Sequence, residues 1–350
     1  MENIHSIKIN SLDIPTNVFF SPINPGYCVN GILSKEFKDF FIERSGLDIG
    51  ICYIGNVSLL TNWSSNINTA VFSQNKSVCW SALASEIKKN GSYAGIQLAW
   101  KPEAIKMQKE FVTGDVLGQL VYFRQFYDSF DQFDQVSTLF SESISQAFQD
   151  GFQVIQLHAA HGYGLSLLLS REVSRCENPR ETKGARLIRQ IVDKLLKREG
   201  ILDIRISLYE GINDGSDEWA YKTRLFEFFQ ECGFNLISLS NGFYNIDKNM
   251  IYPVKQDRTA ILKEAETLAG TYQDMFWNVA GNMEFVLQSR KAFPPNLTFS
   301  LGRQLLSDPK TILKIRQHRE SEINKCSGCN KCHYYSYGLL GIQKCELEII

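Results

Sequence analysis

The stretch Gly151-Phe152-Gln153-Val154-Ile155-Gln156-Leu157-His158-Ala159-Ala160-His161-Gly162-Tyr163 decides how this chain is read. Phe152–Leu157 is a short apolar run with the length and composition of a buried parallel strand. Two histidines and a tyrosine follow it within six residues, and Gly162 permits the sharp turn that aims all three inward. An imidazole N–H donates to a carbonyl or nitro oxygen, and a phenol supplies a proton. A lone histidine after a strand reads first as a satisfied structural residue. Three convergent polar groups after one strand read as a site.

Runs of the same kind recur on both sides. Val18–Ser21, Ile49–Ile54 and Tyr93–Ala99 precede this one; Asp203–Leu208, Asn235–Ser240, Met275–Val279 and Leu297–Leu301 follow it. Amphipathic stretches separate most of them, among them Ser34–Ser45, Val136–Asp150, Arg186–Arg198 and Tyr221–Cys232. A doubly wound sheet is the structural alternative, but eight strand–helix units predict an α/β chain closed as a (β/α)8 TIM barrel. Polar residues and glycines then fall at the carboxyl ends of the strands, where barrels keep their chemistry. They are Pro22-Ile23-Asn24, Gly55-Asn56, Gln97, His158 with His161, Asn241-Gly242, Gly281-Asn282 and Gly302-Arg303. Arg205 lies within the fifth run, early enough to point into the barrel mouth. The segment Lys101–Asp134, rich in Phe and Tyr, reads as a long irregular loop: a lid over the mouth, or a small local core.

At 350 residues and 44% hydrophobic content the chain can bury a large single core. Its 37 Lys and Arg balance 38 Asp and Glu, which excludes the basic excess of a nucleic-acid binder. Met1–Asn10 lacks the pattern of a secretory signal, and no apolar run reaches the length of a membrane span. Scattered single cysteines beside one cluster fit a reducing cytoplasm. That cluster is Cys326, Cys329, Cys332 and Cys345, spaced C-x2-C-x2-C-x12-C. The spacing brings three thiolates to one centre and lets a fourth return from a loop, which suits an iron–sulfur cluster or structural zinc equally. Gly328 and Asn330 suit the tight turns of either, and His333 offers a spare zinc ligand. The expected division is a barrel over residues 1–320 and a metal-binding tail over 321–350.

Taken together, Gly151-Phe152 leading into H-A-A-H-G-Y, the Gln97-Leu98 pair and L-G-R-Q-L-L-S-D-P from Leu301 to Pro309 resemble the Old Yellow Enzyme, or NADH:flavin oxidoreductase, family. The resemblance runs from about Thr16 to Arg316 and continues into the tail. The tail is similar to that of the larger members, such as 2,4-dienoyl-CoA reductase and trimethylamine dehydrogenase, which hold a [4Fe–4S] cluster after the barrel. The resemblance implies FMN in the barrel mouth. Gln97 would hydrogen-bond the pyrimidine edge of the flavin, and Arg205 would stand near N1 and C2=O, where reduction leaves negative charge. Asn24 would lie near O4 and N5, with Gly55 also in the cofactor set. Gly281, Gly302 and Arg303 would hold the phosphate. His158 and His161 would bind the substrate oxygen, and Tyr163 would protonate one alkene carbon while flavin N5 gives hydride to the other. For the tail, the resemblance favours [4Fe–4S] over zinc.

The chain also departs from the family pattern. Thr16-Asn17 stands for Asn-Arg at the first strand, and Trp100-Lys101-Pro102-Glu103 for His-x-Gly-Arg after Gln-Leu. The segment near Arg180–Arg186 is shortened, and two residues, not three, separate Cys329 from Cys332. The chain ends five residues after Cys345 and has no Gly-x-Gly-x-x-Gly, so a further FAD or NAD(P)H domain is not expected. The implied activity is FMN-dependent reduction of an activated, carbonyl-conjugated alkene. Electrons would come from NAD(P)H or a donor protein, and the protein could form a homo-oligomer. Alternatives are an amine dehydrogenase or demethylase and a flavin–cluster electron carrier; tRNA reduction is disfavoured by the balanced charge.

Overall fold

A computed structural model describes residues 3–105, 115–195, 200–213, 218–247, 250–251, 259–281, 283–289, 291–330, 332 and 345. A short antiparallel hairpin, β1 (Ile7–Ile9) and β2 (Leu12–Ile14), comes first. Eight parallel strands follow: β3 (Val18–Ile23), β4 (Ile51–Ser58), β5 (Tyr93–Ala99), β6 (Val154–Ala159), β7 (Ile201–Ser207), β8 (Leu236–Ser240), β9 (Phe276–Ala280) and β10 (Leu297–Leu301). They close in sequence order, β10 pairing with both β9 and β3. The expected TIM barrel is therefore the fold, and each of the eight apolar runs overlaps its strand. The ends shift by a few residues: β4 runs on to Ser58 and β6 to Ala159. The second strand thus carries Gly55 and Asn56 within it, and the fourth carries His158.

Register and the two-residue period of strands sort the barrel interior into layers. Val154, Gln156 and His158 share one face of β6, and their partners on β7 are Ile201, Asp203 and Arg205. The lowest layer is apolar: Phe19, Ile51, Val154, Ile201 and Leu236 form one cluster, with Ile7, Ile9 and Ile14 of the hairpin packed on them. The hairpin thus closes the amino-terminal end of the barrel. The middle layer is polar, built of Gln156, Asp203, Ser238, Asn278 and Ser300, all buried. The upper layer, with His158, Arg205 and Ser240, opens at the mouth.

The helices are α1 (Lys35–Ile42), α2 (Ser77–Lys89), α3 (Val116–Ser129), α4 (Phe133–Gln149), α5 (Gly164–Leu169), α6 (Arg171–Ser174), α7 (Lys183–Asp193), α8 (Glu218–Glu231), α9 (Thr259–Thr271), α10 (Glu284–Leu287), α11 (Arg303–Ser307) and α12 (Thr311–Arg316). In α7, Thr182 caps the first turn by accepting from the Ala185 N–H. Leu187, Ile188 and Ile191 are buried on one face of that helix. Each such side chain contributes about 1.5–3 kcal/mol by leaving water. Part of the segment expected to be irregular is instead the helix α3. Asp115 caps it by accepting from Gly118 N–H, and Leu120, Phe123, Phe126 and Tyr127 recur at helical spacing on its buried side. Trp100 and Phe130 pack on Phe126. The aromatic content of this segment therefore builds a local core. Residues 106–114 of the segment lie outside the described residues, as do Arg198 of the third expected helix, Asn282 and His333. Among the described residues no helix is long and apolar enough to cross a membrane.

Candidate active site

The carboxyl ends of the strands surround one cavity with about 1210 Å³ of free space, counting its open mouth. Organic-ligand pockets generally span about 300–1,000 Å³. The wall includes Gln97, His158, His161, Tyr163 and Arg205 at one side, and Gly281, Gly302 and Arg303 at the other. Residues far apart in sequence meet there because each follows, or ends, a strand of the same closed barrel.

The turn after β6 has the backbone that its sequence suggests. His161 (φ 62°) and Gly162 (φ 78°) both take left-handed conformations. The His161 N–H donates to Ser207 Oγ at 3.0 Å, and Ser207 donates on to the Gly242 carbonyl at 2.9 Å. Tyr244 N–H donates to the His161 carbonyl at 3.2 Å. The turn is thereby tied to the loop after β8. His158 and Tyr163 stack at 4.2 Å between ring centroids, and His158 meets His161 edge-on at 5.2 Å.

The hydrogen bonds assign protons within this group. Ala160 N–H donates to His158 Nδ1 at 3.3 Å, so the neutral ring of His158 carries its hydrogen on Nε2. Arg205 Nη2 donates to Ser240 Oγ at 3.3 Å, and Ser240 lies 2.8 Å from His161 Nε2. Ser240 Oγ has two lone pairs, so while accepting from Arg205 it can either accept from His161 Nε2 or donate to it. Burial, then the Arg205 charge, holds both imidazoles well below 6.5, with His158 adding to the effect on His161. Both are neutral at pH 7 and suit hydrogen-bond donation, not acid catalysis. That leaves the phenol of Tyr163, whose oxygen accepts from Asn56 Nδ2 at 3.0 Å, as the group of the trio best suited to give up a proton.

The two expected cofactor residues Asn24 and Gly55 are placed differently from each other. Asn24 reaches the cavity wall, its amide anchored by two hydrogen bonds. Nδ2 donates to Thr69 Oγ1 and Oδ1 accepts from Gly26 N–H, each at 3.0 Å. Gly55 does not line the cavity. A Cβ there would come within 2.9 Å of Gln97 Cβ, so this glycine makes room for Gln97. Asn56, which its place at a strand end signals, lines that wall, and so do Ser240, Tyr244, Gln304 and Asn330, which have no expected role there. Ser240 carries one signal, its place as the last residue of an apolar run. The others lack a distinguishing pattern.

Beyond α12 the chain folds back onto α11. Cys326 N–H donates to Gln304 Oε1 at 2.9 Å, Ser307 Oγ to the Asn324 carbonyl at 2.7 Å, and Arg303 to Asn330 Oδ1. Lys314 Nζ pairs with Asp308 at 2.5 Å and braces the same corner. Cys326 and Cys332 thereby join the wall of the cavity. Gly328 and Asn330 adopt left-handed turns, and Gly328 N–H donates to Cys326 Sγ at 3.4 Å. None of the four tail cysteines is in a disulfide. The Cys332 thiol is pushed up to about 11, first by burial and then by Cys326, with Cys345 and Cys329 adding to it. The other three sulfurs therefore act on Cys332. Among the described residues, though, no three His, Cys, Asp or Glu side chains are grouped as a metal site.

Comparison with known proteins gives a consistent lineage. The chain is 26% identical over 336 residues to the NADPH dehydrogenase of Bacillus subtilis (strain 168), covering 87% of this chain and 90% of that protein. In fold it is similar to 2-naphthoyl-CoA reductase in complex with 2-naphthoyl-CoA, with a TM-score of 0.76 at 14% identity, over 99% of this chain and 57% of that one. It is similar also to histamine dehydrogenase from Rhizobium sp. 4-9, with a TM-score of 0.73 at 17% identity, over 99% of this chain and 52% of that one. The chain thus spans little more than half the length of either of these two enzymes. The model of one family matches residues 29–322, from the loop after β3 to the corner beyond α12. On that match the chain belongs to the NADH:flavin oxidoreductase / NADH oxidase family.

Proposed function

We propose that this flavin oxidoreductase uses FMN to reduce an alkene conjugated to a carbonyl or a similar acceptor. One observation carries the reading: two neutral imidazoles, a phenol and a guanidinium converge on a single cavity. The residues present fit FMN. The Gln97 amide offers both a donor and an acceptor to the pyrimidine edge, and Arg205 offers a fixed positive charge. Gly281 and Gly302 keep side chains away from the opposite wall, where Arg303 supplies a charged fork for the phosphate. FMN, when bound, supplies the hydride that it receives from NAD(P)H. His158 Nε2–H and the ring N–H of His161 suit one substrate oxygen and stabilise the negative charge that grows there in the transition state. Tyr163 donates the proton, held by Asn56 and by its stack on His158.

We also propose that residues 321–350 are a distinct tail whose Cys326, Cys329, Cys332 and Cys345 hold a [4Fe–4S] cluster, with zinc as the alternative. A bound cation would relieve the repulsion that Cys326, Cys345 and Cys329 exert on a Cys332 thiolate, which supports a shared centre. The test of the main reading is anaerobic. NADPH-reduced protein is mixed with an unsaturated ketone, and reoxidation with formation of the saturated ketone is expected. Reduction of the resting protein by an amine, with no reaction toward the ketone, would favour the second reading, amine oxidation, to which the likeness to histamine dehydrogenase points.

A further inference from the structure

The polar middle layer beneath the cavity has a direction. Asp203 is fully buried at the centre of β7. Its Oδ2 accepts from Tyr53 OH at 2.6 Å, from Ser238 Oγ at 2.9 Å and from Gln156 Nε2. An ionised carboxylate only accepts, so every group facing it must turn a hydrogen toward it. Ser238 spends its one proton on Asp203 and accepts from Gln156 Nε2 and Asn278 Nδ2, each at 3.0 Å. Asn278 Nδ2 also donates to Ser300 Oγ at 2.8 Å, and its Oδ1 accepts from Thr298 at 3.3 Å. None of these bonds can be reversed while the carboxylate keeps its charge.

The same logic runs upward. Gln156 turns its NH₂ to Asp203 and therefore presents Oε1 to β5. Gln97 Nε2 donates to that oxygen at 2.5 Å. Gln97 is thus held with one N–H committed below. Its carbonyl oxygen and second N–H remain for the cavity that it lines. In the opposite amide orientation, two carbonyl oxygens would face each other in a buried site, a loss of the bond plus repulsion. The isoalloxazine pyrimidine edge alternates C=O, N–H and C=O, so an amide fixed in one orientation matches it in one register.

We infer that Asp203 is a positioning residue: through Gln156 it locks the amide of Gln97 with its carbonyl oxygen available to the flavin N3–H. The inference rests on the flavin reading of the cavity. It assigns to a carboxylate that touches neither cofactor nor substrate the polarity of the edge that recognises the cofactor. Two features support Asp203 as the origin of the order. It is the sole carboxylate among the described residues of this layer, and its Oδ1 has no hydrogen-bond partner. A carboxylate kept in so buried a place needs a reason beyond packing, because an apolar residue there costs less.

The experiment measures FMN affinity of the full-length chain by quenching of flavin fluorescence on titrating apoprotein, with thermal unfolding recorded for each variant. Asp203→Asn replaces a group that can only accept by an amide that can also turn its NH₂ toward Gln156, which frees the order, and should weaken FMN binding about three- to tenfold, the value of one freed amide bond. Adding Gln156→Glu to Asp203→Asn moves the carboxylate one place up the same chain. The carboxylate introduced at position 156 again accepts from Gln97 Nε2, so affinity should return to within about twofold of the parent. Tyr53→Phe, which removes a different partner of Asp203, should leave FMN affinity unchanged. A structural role alone would not give rescue by a displaced charge. Should Asp203→Asn not fold, Gln156→Met frees Gln97 directly and should show the same loss. Wild-type affinity in Asp203→Asn, or in Gln156→Met, overturns the inference, as does a folded double variant without rescue. Failure of the parent chain to bind FMN would instead defeat the flavin reading and the relay with it, a result separable from loss of the relay alone.

Discussion

Tyr163→Phe tests the assignment of the acid more sharply than any other single substitution. The phenyl ring preserves the 4.2 Å stack on His158 and the contact with Tyr244, so the cavity keeps its shape. What is lost is the hydroxyl and its 3.0 Å bond from Asn56. Asn56 lies at the cavity wall and can turn to water there, so the stability cost should be about 1 kcal/mol. The catalytic cost is of another size. Removing a positioned acid lowers a rate by about 10²–10⁴-fold, or roughly 2.7–5.5 kcal/mol of transition-state stabilisation. The loss should be confined to one half-reaction, since only delivery of the second hydrogen to the alkene needs the proton. Stopped-flow absorbance separates the two halves: reduction by NADPH should match the parent, and reoxidation by an unsaturated ketone should slow into the stated range. Equal reoxidation rates would remove Tyr163 from the acid role. Slowing of both halves together would show instead a damaged cavity.

Arg205→Met should lower the flavin potential, because the guanidinium favours the charge gained on reduction. A loss of about 1.5–3 kcal/mol for a charge-assisted contact corresponds to roughly 30–65 mV for two electrons, read by dye equilibration. Asp203 gives a pH signature. Burial raises its carboxyl from 3.8 to about 6, opposed by Tyr53, Gln156, Ser238 and Arg205. A raised folded value means that its contribution is full below about pH 4 and lost as pH rises through about 6, roughly 3 kcal/mol in all. Denaturant unfolding on either side of that window should therefore show Asp203→Asn gaining on the parent at the higher pH; parallel curves would contradict the shift. For the tail, anaerobically prepared protein should contain iron and sulfide in equal amounts, and Cys329→Ser should lose both while retaining FMN. One zinc and no sulfide would replace the cluster by a structural metal.

Much of this is legible in the residues because buried parallel strands are written as uninterrupted apolar runs. Val18, Tyr93 and Leu297 start their strands where composition changes, and closure follows from counting eight. His158, His161 and Tyr163 can be read because they are adjacent in sequence. The middle layer cannot. Gln156, Asp203, Ser238 and Asn278 are dispersed along the chain, one to a strand, and only register brings them level. The same holds for Asn56, whose value lies in a bond to a residue 107 positions away. Gly55 belongs to the cofactor set only as the family resemblance implies. The neighbour it admits is a side chain, Gln97. The helix α3 is hidden by its aromatic residues, which have modest helical preference and are held by packing on Trp100, Phe130 and Phe243.

The central claim is that the barrel mouth is a flavin site, and the visible absorption spectrum of the anaerobically purified protein tests it most directly. One FMN per chain is expected, released intact by denaturation and so not covalently attached, with oxidised flavin bands that bleach on addition of NADPH. A broad underlying shoulder that survives removal of the flavin would belong to the tail cluster. Colourless protein that neither retains FMN nor takes it up on reconstitution would contradict the account at its base.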